Sequence, residues 1–187
     1  MGLDVARPGI ARCNAAMKFL LPLALALLSS AAAADRPEDR LAALGLTLPS
    51  ASAPVANYVP AVRTGDLLFV AGHISRDAEG KVIAGTVGRD LDEAAGVEAA
   101  RRTALALIAT LKQELGDLGR VRRIVRVAGF VRCTDDFTRQ PAVMNGCSDL
   151  LVAVFGDAGR HARAAVGVPA LPLGAAVEVE LVVEVRD

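Results

Sequence analysis

The sequence predicts an α+β fold, two helices packed on one face of a mixed β-sheet. Three stretches carry that expectation. From Asp90 to Leu115, apolar residues recur at Val97, Ala100, Ala104, Leu107, Leu111 and Leu115, in the steps of three and four that mark an amphipathic helix. Val121 to Cys133 is rich in β-branched residues with apolar side chains toward both faces, the mark of a strand covered on both sides. Ala176 to Val185 alternates, with Val177, Val179, Leu181, Val183 and Val185 on one face and Glu178, Glu180 and Glu184 on the other.

Taken in order, the chain begins with an address. Lys18 precedes an apolar run from Phe19 to Leu28, and Ala32-Ala33-Ala34 then offers small residues before Asp35, the pattern of a secretory signal peptide over residues 1–34. The run is too short to cross a bilayer, which needs about 20 apolar residues. Met17 is an alternative start. The mature chain, Asp35 to Asp187, is then expected in a periplasm or outside the cell, with no membrane attachment after cleavage. There Cys133 and Cys147 are exposed to oxidising conditions, although spacing does not decide whether they meet.

Residues 35–54 read as a short helix ended by Gly45 and a Pro49–Pro54 linker, and residues 55–187 as the main domain. Val59 to Arg63 and Leu67 to Ala71 form a hairpin candidate around Thr64-Gly65-Asp66. Gly80, Gly85 and Gly88 mark loops. Asp90, with Glu93 three residues on, suggests the N-cap of the long helix, and Gly116 its stop. After the Val121–Cys133 strand, Pro141 to Phe155 suits a second helix closed by Gly156-Asp-Ala-Gly159. Ala162 to Val168 is a strand, and Pro169 to Gly174 links it to the last one. The order β-β-α-β-α-β-β gives one sheet with helices on one side. The apolar second face of the middle strand then calls for cover by other copies of the chain.

Composition narrows the function. Lys and Arg number 21 against 21 Asp and Glu, and aromatic residues are 3%, which argues against a large nucleic-acid surface. Arg120, Arg122, Arg123 and Arg126 read as a solvated strand end. Dinucleotide, P-loop and nucleophile-elbow motifs are absent. His73, Cys133, Cys147 and His161 show no metal-ligand spacing, so neither metal nor cofactor is expected. Arg163 stands in an Ala-Val-rich strand, where a permanent charge needs a partner. An antiparallel return through the short Pro-Leu link would bring it near Glu178. The pair reads either as a structural salt bridge or as an Arg fork for a substrate carboxylate with Glu178 positioning a water.

Tyr58 ahead of Arg63-Thr-Gly-Asp-Leu-Leu-Phe-Val-Ala-Gly-His-Ile74 resembles the first hairpin of the RidA (YjgF) family. Phe130-Val-Arg-Cys133 with Asp136-Phe137 resembles its central strand and exit. Ala162-Arg-Ala-Ala-Val166, Leu171-Pro172 and Val177-Glu-Val-Glu180 resemble its signature end. The likeness covers about residues 55 to 186, and the stretch Gln140 to His161 looks like a longer subgroup.

The resemblance implies a chorismate-mutase-like fold and a homotrimer with clefts between subunits. It implies hydrolysis of reactive enamine and imine acids to 2-oxo acids and ammonia without metal or cofactor. By the same likeness Arg163 binds the substrate carboxylate, Glu178 orients the attacking water, Tyr58 and Asn145 line the cleft, and Gly72 contributes backbone. The archetype has Ser-Gly-Gln where this chain has Ala71-Gly72-His73, and Arg-Ser-Cys where it has Arg163-Ala164-Ala165. These departures remove small polar groups and point to a different preferred substrate. Two other readings stay open, a non-catalytic carboxylate-binding trimer and an endoribonuclease.

Overall fold

A computed structural model describes residues 1–2, 36–51 and 56–187. The signal-peptide reading and the second half of the Pro49–Pro54 linker therefore lie outside the described residues. The remainder, Arg36–Asp187, is one compact unit.

Its elements are α1 (Pro37–Ala43), β1 (Ala61–Thr64), β2 (Leu67–Ile74), α2 (Glu93–Leu115), β3 (Val121–Arg132), α3 (Gln140–Phe155), β4 (Ala162–Val168) and β5 (Val177–Val185). The five strands form one sheet in the order β1-β2-β5-β3-β4. The β3–β4 pair is parallel and the other pairs are antiparallel, so the sheet is mixed. A parallel neighbour needs a crossover, and α3 supplies it between β3 and β4. The α+β expectation and its element order hold, and α1 is the short helix expected ahead of Gly45.

The core lies between the sheet and the helices. Val177, Val179, Leu181 and Val183 of β5 and Ile124, Val127 and Val131 of β3 are buried together with Leu107, Ile108 and Leu111 of α2 and Val143, Leu151 and Val154 of α3. Burying a side chain of this kind stabilises by about 1.5–3 kcal/mol relative to leaving it in water. Small residues let the layers close. A Cβ on Gly146 of α3 would collide with the backbone carbonyl of Val97 on α2, so the two helices approach more closely there than any side chain permits.

Three local expectations need correction. The N-cap of α2 is Asp92, whose carboxylate accepts from Ala95 N at 2.7 Å, and not Asp90. Asp90 instead accepts from Thr86 N and pairs with Arg89, closing the preceding turn, while Glu93 pairs with Arg139. The simple alternation expected in β3 is broken by a bulge between Ile124 and Arg126, which turns Ile124 to the same face as Val127 and Val131. The hairpin strands also shift, β1 beginning at Ala61 and β2 continuing to Ile74.

A further correction matters most for function. β4 and β5 are not neighbours, because β3 lies between them. The link between them passes over the end of β3, where Arg132 N donates to Ala176 O at 2.9 Å and Arg132 Nη1 to Gly174 O at 3.0 Å. Arg163 and Glu178 are therefore not brought together by an antiparallel return. Cys133 and Cys147 are free, buried thiols.

Candidate active site

Arg163 stands opposite Val127 in the parallel β3–β4 register, so its side chain leaves the sheet on the helix-covered face, at the β4 edge. Asn145 and Ser148 are three residues apart on α3 and so share one side of that helix. The guanidinium reaches both. Arg163 Nη1 donates to Asn145 Oδ1 at 3.0 Å and to Ser148 Oγ at 2.9 Å, and Nη2 donates to the Pro141 carbonyl at 3.2 Å. All three acceptors are neutral. Among the described residues no carboxylate pairs with Arg163, and its Nε–H and one Nη2–H have no protein acceptor. The fork is fixed in place with its charge uncompensated and exposed.

His161 completes the cluster. Its Nδ1 lies 2.6 Å from the Gly159 carbonyl and its Nε2 lies 3.0 Å from Ser148 Oγ. A carbonyl can only accept, so Nδ1 carries the proton, and the neutral ring's Nε2 then accepts from the Ser148 hydroxyl. The Ser148 oxygen in turn accepts from Arg163. Burial, and then the charge of Arg163, hold the ring's pKa below the ordinary histidine value, while its bond to Gly159 opposes them.

Glu178 sits elsewhere. It pairs with Phe130 of β3 and Ile74 of β2, on the face of the sheet away from the helices. The bulge between Val70 and His73 places Gly72 directly under its carboxylate, and a Cβ on Gly72 would collide with Glu178 Oε1. Half-burial, reinforced by the like charge of Glu180, raises the Glu178 pKa. Beside it, over Gly72, the open face carries a shallow groove lined by Val59, Val62, Phe69, Ala128 and Val182 together with the charged Arg126 and Glu180. Phe69 and Val62 are 45% and 55% exposed.

Tyr58 leads into β1, 49% exposed, at the sheet edge opposite β4. His73 is not in either cluster. It points into the core, with Nδ1 2.9 Å from the Ala71 carbonyl and Nε2 2.8 Å from Thr110 Oγ1 of α2. It is thus a hydrogen-bonded structural residue at the bulge.

Within one chain the structure therefore joins Arg163 with Asn145, and Glu178 with Gly72, as two separate clusters on opposite faces of the sheet. Tyr58 joins neither. Sequence reasoning missed Ser148 and His161 as partners of Arg163. Two signals pointed to them, the three-residue spacing of Ser148 from Asn145 on a helix and the two-residue spacing of His161 from Arg163 at a strand start.

Comparison with known proteins identifies the lineage. The family described as "YjgF/chorismate mutase-like, putative endoribonuclease" matches residues 38–185. The Trypanosoma cruzi protein TCP17 is 44% identical over 159 residues, 84% of this chain and 99% of its own. An Agrobacterium tumefaciens crystal structure of unknown function is 42% identical, with a TM-score of 0.75 over 82% of this chain and 96% of that one. A "putative endoribonuclease" from Shewanella oneidensis is 36% identical, with a TM-score of 0.77 over 80% and 99%. With its fold, its signature strands and nearly its whole described length accounted for, the chain belongs to the YjgF/chorismate mutase-like family.

Proposed function

We propose that the protein is an enamine/imine deaminase, hydrolysing reactive 2-imino or 2-enamino acids to 2-oxo acids and ammonia at a cleft between subunits. The observation that carries this reading is the Arg163 fork, preorganised by Asn145, Ser148 and the Pro141 carbonyl yet unpaired with any described carboxylate. A planar fork with free N–H groups suits a carboxylate, and holding it there costs the enzyme no reorganisation when substrate arrives. An iminium carbon is already electrophilic, so catalysis needs an anchor for the carboxylate, exclusion of bulk water and one aimed water. Glu178 suits the last task, since its raised pKa makes it a better proton acceptor than an ordinary carboxylate.

The separation of the two half-sites supports a homotrimer in this reading. One subunit's Arg163 edge would meet another's Gly72–Glu178 face, and the same contact would cover Phe69 and Val62. The Met17–Ala34 pattern supports a periplasmic or secreted location in the same reading.

A second reading, a carboxylate-binding trimer without turnover, draws on Ala164 and Ala165, which leave the strand beside Arg163 without a hydroxyl or thiol of its own. RNA cleavage has less behind it, because zero formal charge and 3% aromatic residues speak against a broad RNA surface.

Release of 2-oxo acid and ammonia separates them. Imines generated in the cuvette by an amino-acid oxidase, over a panel of amino acids, should be hydrolysed faster with the protein than without it. Arg163→Ala should lose about 100-fold of that acceleration, the scale of a lost charge-assisted pair. A folded protein that binds 2-oxo acids without acceleration would instead support the binding reading.

A further inference from the structure

We infer that Phe130, with Val166 beside it, determines specificity, and that the protein selects 2-imino acids carrying a branched or aromatic apolar side chain. The inference rests on the imine-hydrolysis reading and deepens it by naming the substrate class.

The register of the sheet fixes what surrounds Glu178. Ile74, Glu178, Phe130 and Val166 lie in one row across β2, β5, β3 and β4. All four stand on the face away from the helices. His73 turns inward to Thr110, so Ile74 points outward. A Cβ on Gly129 would collide with Met144 of α3, so Phe130 points outward too. Opposed residues of an antiparallel pair have Cβ atoms about 4.5–5.5 Å apart, which puts the Phe130 ring beside the Glu178 carboxylate.

Within its row Glu178 is flanked by apolar side chains alone. The next row holds Glu180, Ala128 and Ala164, so small methyl groups lie beside Phe130 and Val166 where longer side chains would fill the space. Val166 is 46% exposed, and Ala164 is exposed as well. Together these four residues make an apolar shelf that runs from Glu178 to the β4 edge.

The charges on this face favour the same class. Glu180, two residues along β5, acts on Glu178 as a like charge, and it opposes a substrate bearing a second carboxylate in the same way. Arg132, next to Phe130 on the open face of β3, is turned into the link and donates to the Gly174 carbonyl. Arg126 stands two rows from Glu178, in register with Val182.

The substrate's own geometry completes the argument. In a 2-imino acid one carbon carries the carboxylate, the nitrogen and the side chain. When Glu178 holds a water against that carbon, the side chain begins one bond away, within reach of the Phe130 ring. An apolar side chain laid on the shelf leaves water, and the binding it gains grows with its area.

The test measures kcat/KM for imines derived from alanine, leucine and phenylalanine, generated by an amino-acid oxidase. The full chain is compared with Phe130→Ala and with Val166→Lys. Affinities for pyruvate, 4-methyl-2-oxopentanoate and 2-oxoglutarate are measured alongside by calorimetry. The wild type should prefer the leucine- and phenylalanine-derived imines to the alanine-derived one by about tenfold or more, the scale of a few methylenes in an apolar site. Phe130→Ala should lose most of that preference. Val166→Lys, changed at an exposed position, should shift the ratio of affinities toward 2-oxoglutarate and away from 4-methyl-2-oxopentanoate. A wild type that favours the alanine-derived imine or 2-oxoglutarate, or preferences unchanged in both variants, would overturn the assignment. A wild type that accelerates no imine would remove the imine reading, and the order of the three 2-oxo acid affinities would then decide the apolar shelf by itself.

Discussion

The Arg163 guanidinium donates to an amide oxygen, a hydroxyl and a backbone carbonyl, none of which cancels its charge. Its position is fixed while its field remains available to an anion. His73 shows the opposite economy, a titratable side chain placed where it should not titrate. Burial holds its pKa below the ordinary value of 6.5, against its bond to the Ala71 carbonyl. The sign follows from that depression. The neutral ring's contribution to stability is complete above pH 6.5 and is lost as the pH falls through the lowered folded value. The urea midpoint of the wild type should therefore drop between pH 7 and 5, and His73→Gln should show a smaller drop. An identical drop in the two proteins would mean that His73 is not the group responsible. Residue types were legible at this scale, since Arg163 in an apolar strand and the family signature both singled it out. Its partners were less so, because Ser148 and His161 carry no chemistry until α3 and β4 are laid side by side.

Among the elements, α2 and α3 depend on a close approach at one residue. Gly146→Ala would force a methyl group against the Val97 carbonyl, a rigid backbone atom, and overpacking of that kind costs about 1–3 kcal/mol. Thermal unfolding should show a correspondingly lower midpoint, and a midpoint equal to the wild type's would contradict the packing described here. The capping residue gives a finer check. Asp92→Ala should cost about 1 kcal/mol, whereas the sequence pattern alone pointed to Asp90. Both aspartates precede an apolar helical run, so spacing did not separate them, and the hydrogen bonds did. The β3 bulge was hidden for a similar reason. An extra residue in a strand of Val, Ile and Arg leaves no mark in composition, yet it moves Ile124 from one face to the other. Strand and helix identities were readable because their periodicities are long, while the order of strands was not. A short Pro-Leu link suggests a hairpin, and nothing local records that β3 occupies the place beside β4.

For the whole molecule, one face of the sheet is sealed by helices, while the other carries Glu178 over Gly72 among exposed apolar residues. In the reading proposed here a second copy covers that face and supplies the missing half-site. Sedimentation at micromolar concentration should then give a trimer for the wild type and a smaller species for Phe69→Lys, whose charge would be buried in the contact. A wild type that sediments as a monomer would exclude the shared cleft. The sequence anticipated an unsealed second face from the apolar middle of β3. Which cluster each residue joins came from the fold.

In the proposed reading, the Arg163 fork of one subunit and Glu178 of another frame a single carboxylate-binding cleft. A crystal structure of the protein with a 2-oxo acid tests it most directly. The ligand's carboxylate should lie on the Arg163 fork, with the Glu178 carboxylate of a neighbouring subunit beside its carbonyl carbon. A 2-oxo acid bound away from Arg163, or held there with no Glu178 within hydrogen-bond reach of a water at the carbonyl carbon, would contradict it.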